Sequence, residues 1–264
     1  MLSNSTIEEY IDNVPPVPKI VKECIKAINE GDLVHAADIA SQDRALVNYL
    51  QLIVNKPIFG FRNDISNARQ IFGILGIYKA RQLIYSYYIL LLLPKKWEVF
   101  DFDSHKFQDF QARLIHHWSN IVAHIKNEDK ELAGAITIIP ATLIVCEMLF
   151  RDIKDTVNLL KEKKNLSYET ILTKMTGRTL FEIASLIAKK WEFSQDIVSL
   201  IRSIPDTKEG VFGEHALAIE YMRLLLIYEM SRPVMIQSGL SDLFDLESVL
   251  DDKVVESFYE IVQE

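Results

Sequence analysis

Between Lys19 and Asn29 the apolar residues Ile20, Val21, Cys24, Ile25 and Ile28 recur at intervals of three and four, which places them on one helix face, and Gly31 ends the run. Asp32 caps a short helix after it. The spacing returns in Leu46, Val47, Leu50 and Val54, with Ser41 or Asp43 as cap and Pro57 and Gly60 as the stop. Ser66 starts a further helix, Gly76 interrupts it, and residues 77–93 resume it up to Pro94. A polar connector at 101–104 leads into a long helix over about 106–126, then a turn at 127–129 and an apolar helix containing Pro140. Beyond Phe150 the chain is more polar to Lys164 and breaks at 165–167. Helices follow from Tyr168, over about 179–190, and from Ser194 as cap to Ile204, with a loop at 205–213 and a last core helix over 215–230. The prolines of Asn13-Val14-Pro15-Pro16-Val17-Pro18 exclude a continuous helix there, so this segment reads as a stiff lead-in, preceded by an N-terminal lead over 1–13.

The tail carries the most distinctive pattern. Leu243, Leu246 or Glu247, Leu250, Val254, Phe258 and Ile261 follow the three-four spacing, with acidic residues mostly on the other face, so 240–264 is expected to be an amphipathic helix. Its apolar stripe must be covered, either by its own domain or in a groove of a partner or second copy. These residues, from Leu243 to Ile261, are the candidate partner contacts. The stretch holds eight acidic residues and a single basic one, Lys253, and so accounts for −7 of the net charge of −8. The remainder is nearly neutral, with pairs such as Lys95-Lys96 and Lys189-Lys190 scattered, which disfavours nucleic acid. An acidic helix is also repelled by an anionic membrane surface.

A chain of 264 residues, 49% hydrophobic, buries a large core, and only 9 Gly and 8 Pro leave too few turns for an all-β chain. The fold class is all-α, without a repeat period. Residues 84–93 and 132–146 are short for membrane spans and read as buried helices. Two cysteines, Cys24 and Cys146, sit in apolar helical patterns without framework spacing, which suits a reducing cytoplasm, and no signal-peptide pattern opens the chain.

Motifs for anchored phosphate or nucleophile-elbow chemistry do not occur. The histidines are His35, His105, His116, His117, His124 and His215. His117 and His124 share a helix face, and Asp101, Asp103 and His105 could complete a metal cluster; the competing reading is histidines with ordinary hydrogen bonds. Tyr85, Tyr87 and Tyr88 read as core packing or as the wall of a ligand pocket. Apolar neighbours make Cys146 a core thiol.

Several of these pieces together resemble the HDOD domains, HD-related output domains that form a degenerate branch of the HD phosphohydrolase superfamily. The lead-in PPVPKI is similar to the family's opening turn. IASQDRALVNYLQLIVNKPIFG carries Asp43 and Asn55 at its marks, and ISNARQIFGILGIYKARQLI carries Ser66, Ala68, Ile71, Leu75, Gly76 and Arg81. HHWSNIVAHI resembles the family's Trp-Ser element through Trp118 and Ser119. In metal-dependent relatives the next helix holds a His-Asp pair; in AGAITIIP, Thr137 and Ile138 stand there. GRTLFEIASLIAKKWEF matches a later element at Gly177 and Trp191, with Leu180 in the His place, and the last His-His pair falls near Ile204 and Pro205. Isoleucine, leucine and proline side chains offer no lone pair and a neutral threonine replaces imidazole poorly, so the resemblance implies no metal site, cofactor or phosphodiesterase activity.

The implied architecture is an HD-like bundle over 14–239, in subdomains of about 14–95 and 105–239, with the acidic helix at 240–264. The implied role is a non-catalytic cytoplasmic signalling module contacting a regulatory protein, or forming a homo-oligomer, without nucleic acid or membrane. The alternatives are a nucleotide or metabolite sensor using the vestigial cavity, or a diverged metal-dependent phosphohydrolase.

Overall fold

The computed structural model describes residues 2–125, 130–205, 215–246 and 252–263. Among these there are fifteen α-helices and no strand. The first part contains α1 (Asn4–Asn13), α2 (Lys19–Asn29), α3 (Leu33–Ala40), α4 (Arg44–Val54) and α5 (Ala68–Ile89). After a connector come α6 (Ser104–His124), α7 (Lys130–Ala135), α8 (Ala141–Phe150), α9 (Lys154–Lys164), α10 (Tyr168–Thr176) and α11 (Leu180–Lys190). The chain closes with α12 (Gln195–Ser203), α13 (Ala216–Met230), α14 (Pro233–Gln237) and α15 (Asp252–Gln263).

Capping chemistry sets many boundaries. Asp32 accepts from the His35 amide, Asp43 from Ala45 and Leu46, and Ser194 from Ile197. Thr179 and Glu182 form a reciprocal capping box at α11. At α5 the cap is Asn67, whose side chain takes the Gln70 amide, one residue beyond the expected Ser66. One buried core runs through both parts of the chain, from Leu2 to Val262. Helix α5 packs on α2, α3 and α4 on one side and on α6 and α7 on the other.

Three features differ from the sequence reading. Residues 4–13, expected only as a lead, form α1, with Ser3 and Thr6 making a capping box. Ile7 is fully buried, which stabilises by about 1.5–3 kcal/mol. Lys190 on α11 donates its ammonium to the Ile11 and Asp12 carbonyls at the end of α1 (2.6 and 2.7 Å). Second, the apolar run after residue 130 is a chain of short helices joined by a 3-10 turn at Ile136–Ile138, with Pro140 capping α8. By length and composition Leu132–Lys164 could cross a membrane, but its most apolar window is 94% buried inside the domain. Third, the tail is not helical throughout: residues 240–246 are turns, bends and irregular chain, and the helix described after them spans Asp252–Gln263.

Candidate functional site

The five positions at which the resemblance placed metal ligands are occupied by packing groups. Thr137 and Ile138 lie in the 3-10 turn between α7 and α8, Leu180 opens α11, and Ile204 follows α12. All four are buried and Pro205 is half-buried. The Thr137 hydroxyl donates to the Gly134 carbonyl at 2.6 Å, a local helix-turn bond that occupies its one proton. A divalent cation does not fit this set, because four of the five side chains have no donor atom and the fifth is a neutral hydroxyl. Among the described residues no three His, Cys, Asp or Glu side chains group to hold a metal ion.

The alternative cluster built on His117 is dispersed into separate jobs. Asp103 caps α6 by accepting from the Lys106 amide, Asp101 pairs with the Lys106 ammonium (3.6 Å), and His105 faces Asp109 (3.3 Å). The His124 Nε2 is 3.1 Å from the Ser257 hydroxyl on α15. His117 instead faces Glu229 on α13, Nε2 to Oε1 at 3.6 Å, while Arg113 Nε donates to Glu229 Oε2 at 2.7 Å. Glu229 is fully buried, and burial raises its carboxyl above the usual range against the opposing pull of Arg113. Burial, with His116, Arg232 and Arg113 nearby, pushes the His117 imidazole down to about 4, so it is neutral beside this ion pair at neutral pH.

The tail residues meet the chain's own domain. Leu243 and Phe258 are fully buried, Ile261 is buried, and Leu246 and Val254 are half-buried against the core. Leu250 lies outside the described residues. Two separate attachments hold this region. Residues 242–245 are tied to α10: the Tyr168 and Glu169 amides donate to the Asp242 and Leu243 carbonyls (both 3.1 Å). The Asp245 amide donates to Glu169 (3.0 Å), the Thr170 hydroxyl to Asp245 (2.7 Å), and Lys161 pairs with Asp242. Helix α15 then lies across α6 and α13.

Residues 14–206 match the HDOD domain family. The chain belongs to the HDOD family. No curated protein matches it. Its fold is shared with an HDOD domain protein of unknown function from Geobacter sulfurreducens, at 16% identity and a TM-score of 0.65, covering 98% of this chain and 87% of that one. It is shared also with a protein from Shewanella amazonensis SB2B provisionally described as a phosphohydrolase, at 16% identity and a TM-score of 0.67, covering 97% and 94%. The family, the fold and the lost ligand set together describe a degenerate HD-like domain.

The HDOD marks turn out to be structural. Asn55 clips Ile65 from both sides, accepting its amide at 2.8 Å and donating to its carbonyl at 3.1 Å, which closes the loop between α4 and α5. Trp118 donates its indole to the Leu132 carbonyl (3.0 Å), Ser119 donates to Gln82 (2.8 Å), and Gln82 donates to the Ala133 carbonyl (2.7 Å). Trp191 donates to the Pro15 carbonyl (2.9 Å) and so pins the proline lead-in. Tyr85 and Tyr88 pack on Phe193 and Trp191, with ring centroids 4.3 and 5.4 Å apart, and line a cleft of 390 Å³ edged by Lys22 and Lys26. Cys24 and Cys146 are buried thiols; burial raises Cys24 to about 12 and Cys146 well above its ordinary value. Sequence reasoning missed Glu147, a fully buried carboxylate on α8 that accepts from the Glu98, Val99 and Phe100 amides. It also missed Glu229. A charged residue within an apolar helical run was the available signal in both cases.

Proposed function

We propose that this HDOD protein is a non-catalytic regulatory module that works through contacts with a signalling or regulatory protein. One observation carries the reading: at the positions where an HD enzyme holds its metal, this chain has buried packing groups, Thr137, Ile138, Leu180 and Ile204. The same packing argues against the sensor alternative, since a ligand there would have to displace core side chains. A reducing cytoplasm suits the two buried thiols, and the net charge of −8 argues against nucleic acid. The test combines two measurements on the full chain. Incubation with Mn²⁺, Mg²⁺ or Zn²⁺ and phosphomonoester and phosphodiester substrates is expected to give no stoichiometric metal and no phosphate release. Affinity capture from native cytosol, confirmed by reciprocal capture, is expected to return a stoichiometric regulatory protein. Turnover that a chelator abolishes overturns the reading.

A further inference from the structure

The contact surface of α15 has an unusual floor. His117 and His124 lie seven residues apart on α6, and Tyr221 and Tyr228 seven apart on α13, so each pair shares a helix face. They meet across the helices as two edge-to-face pairs, His124 with Tyr221 at 6.4 Å and His117 with Tyr228 at 5.9 Å between ring centroids. Helix α15 lies over this ladder. Tyr221 donates to the Ser257 hydroxyl at 3.0 Å, Ser257 is within 3.1 Å of His124 Nε2, and Tyr228 packs edge-on against Phe258 and Tyr259 at 5.8 and 6.4 Å. Phenol and imidazole have polar atoms that water can satisfy and ring faces that a helix can cover, so such a floor tolerates being uncovered.

Helix α15 is also held separately from the segment before it. Residues 242–245 are fastened to α10 by main-chain hydrogen bonds and to α9 by the Lys161–Asp242 ion pair, whereas α15 meets the body through the Ser257 hydroxyl and an apolar face centred on Phe258, Ile261 and Val262. A helix of 12 residues is marginal in water by itself, so its release and its unfolding coincide. Asp252, Glu256 and Glu260 keep a released segment soluble.

We infer that the α6–α13 groove is an acceptor for an acidic amphipathic helix of a partner protein, and that α15 occupies it in cis as an autoinhibitory plug. The occupant now seated defines the chemistry: an aromatic residue followed by β-branched residues three and four positions on, as in Phe258, Ile261 and Val262, with carboxylates on the outer face. This rests on the reading that the protein acts through protein contacts, and adds to it where and how.

The probe is a fluorescent peptide of residues 252–264, titrated into the full chain and into Phe258→Asp, whose retained fold is checked by helical circular dichroism. The expected result is binding at least tenfold tighter to the variant than to the wild type, and none by a peptide carrying the same substitution. Native-state hydrogen exchange on the unaltered chain is the second measurement, and stands if the variant fails to fold. Amides of α15 are expected to exchange at least a hundredfold faster than those of α13. Equal binding to both chains, no binding to a folded variant, or exchange of α15 only with global unfolding overturns the inference. So does a concentration-dependent wild-type dimer that the free peptide dissolves, which would assign the groove to a second copy. A partner captured equally well by the wild type and by Phe258→Asp would remove the groove and leave the regulatory reading intact.

Discussion

Replacing Glu147 by alanine tests how the connector between α5 and α6 is held. The carboxylate has no solvent exposure, and its two oxygens take the Glu98 amide at 2.6 Å, the Val99 amide at 3.0 and 3.2 Å and the Phe100 amide at 3.2 Å. A hydrogen bond to a charged group contributes roughly 1.5–3 kcal/mol, so three donors set an upper bound near 5–9 kcal/mol. Glu98 is exposed and Val99 half-exposed, so water replaces part of the loss, while Phe100 is buried and its amide stays without a partner. Removing a fully buried charge also relieves its desolvation, which offsets some of the rest. The net expectation for Glu147→Ala is a destabilisation of about 3 kcal/mol, or a fall in Tm of roughly 6–12 °C for a chain of this size. Glu147→Gln keeps one acceptor oxygen and is expected to lose about half as much. Calorimetry gives Tm, and hydrogen exchange at the amides of residues 98–100 places the effect. If Glu147→Ala melts within about 2 °C of the wild type, a shift worth about 0.5–1 kcal/mol, the carboxylate is not what fixes the connector.

Three further outcomes are expected. Burial lifts Glu169 to about 7, so the folded chain keeps a proton that the unfolded chain releases near 4.5; its stabilising share is complete below pH 4.5 and is lost as pH rises through 7, a span of about 3 kcal/mol. Urea unfolding from pH 5 to pH 8 should therefore show Glu169→Gln gaining on the wild type as pH rises, and a constant difference refutes the assignment. Asn55→Ala loses both bonds to Ile65 and should cost about 1–3 kcal/mol by urea titration, whereas an unchanged midpoint means that the loop closes without them. Ile138→Asp puts a carboxylate in a fully buried position with no ligand set around it, and should cost upwards of about 3 kcal/mol without bound metal by elemental analysis; a stable, metal-loaded variant contradicts the account of this site.

Much of the helical order was legible because the apolar period and the caps agree. Asp43 and Ser194 each precede a three-four stripe and each accepts the expected amides. Helix α1 escaped notice because its buried face is short, with Ile7 its one fully enclosed residue, and its stability comes from α11, which no local pattern shows. The tail was misjudged for a related reason. Leu243 continues the period of α15 by number, yet it is buried with its carbonyl accepting the Glu169 amide of α10, and tertiary pairing overrides the helical phase. The emptied metal positions could be read because Ile138 and Leu180 carry no donor whatever their surroundings. The pairing of Arg113 with Glu229 beside His117 could not, since it joins residues more than a hundred positions apart.

Helix α5 is kinked into two arms at Gly76, whose φ of +72° and ψ of −179° form a backbone state essentially closed to any residue with a side chain. Before the bend, Arg69 reaches Asp38 on α3; after it, Gln82 bonds the carbonyl of Ala133 on α7 and accepts from Ser119 on α6. The same rod is thus shared by both halves of the protein, and the angle between its arms is set by a missing β-carbon instead of by a packed side chain. Nothing lies within 4 Å of where that carbon would be, so the vacancy serves the backbone alone. Substitutions in the core around this elbow can change the volume of either half, but the relative aim of the two halves is inherited from one achiral residue.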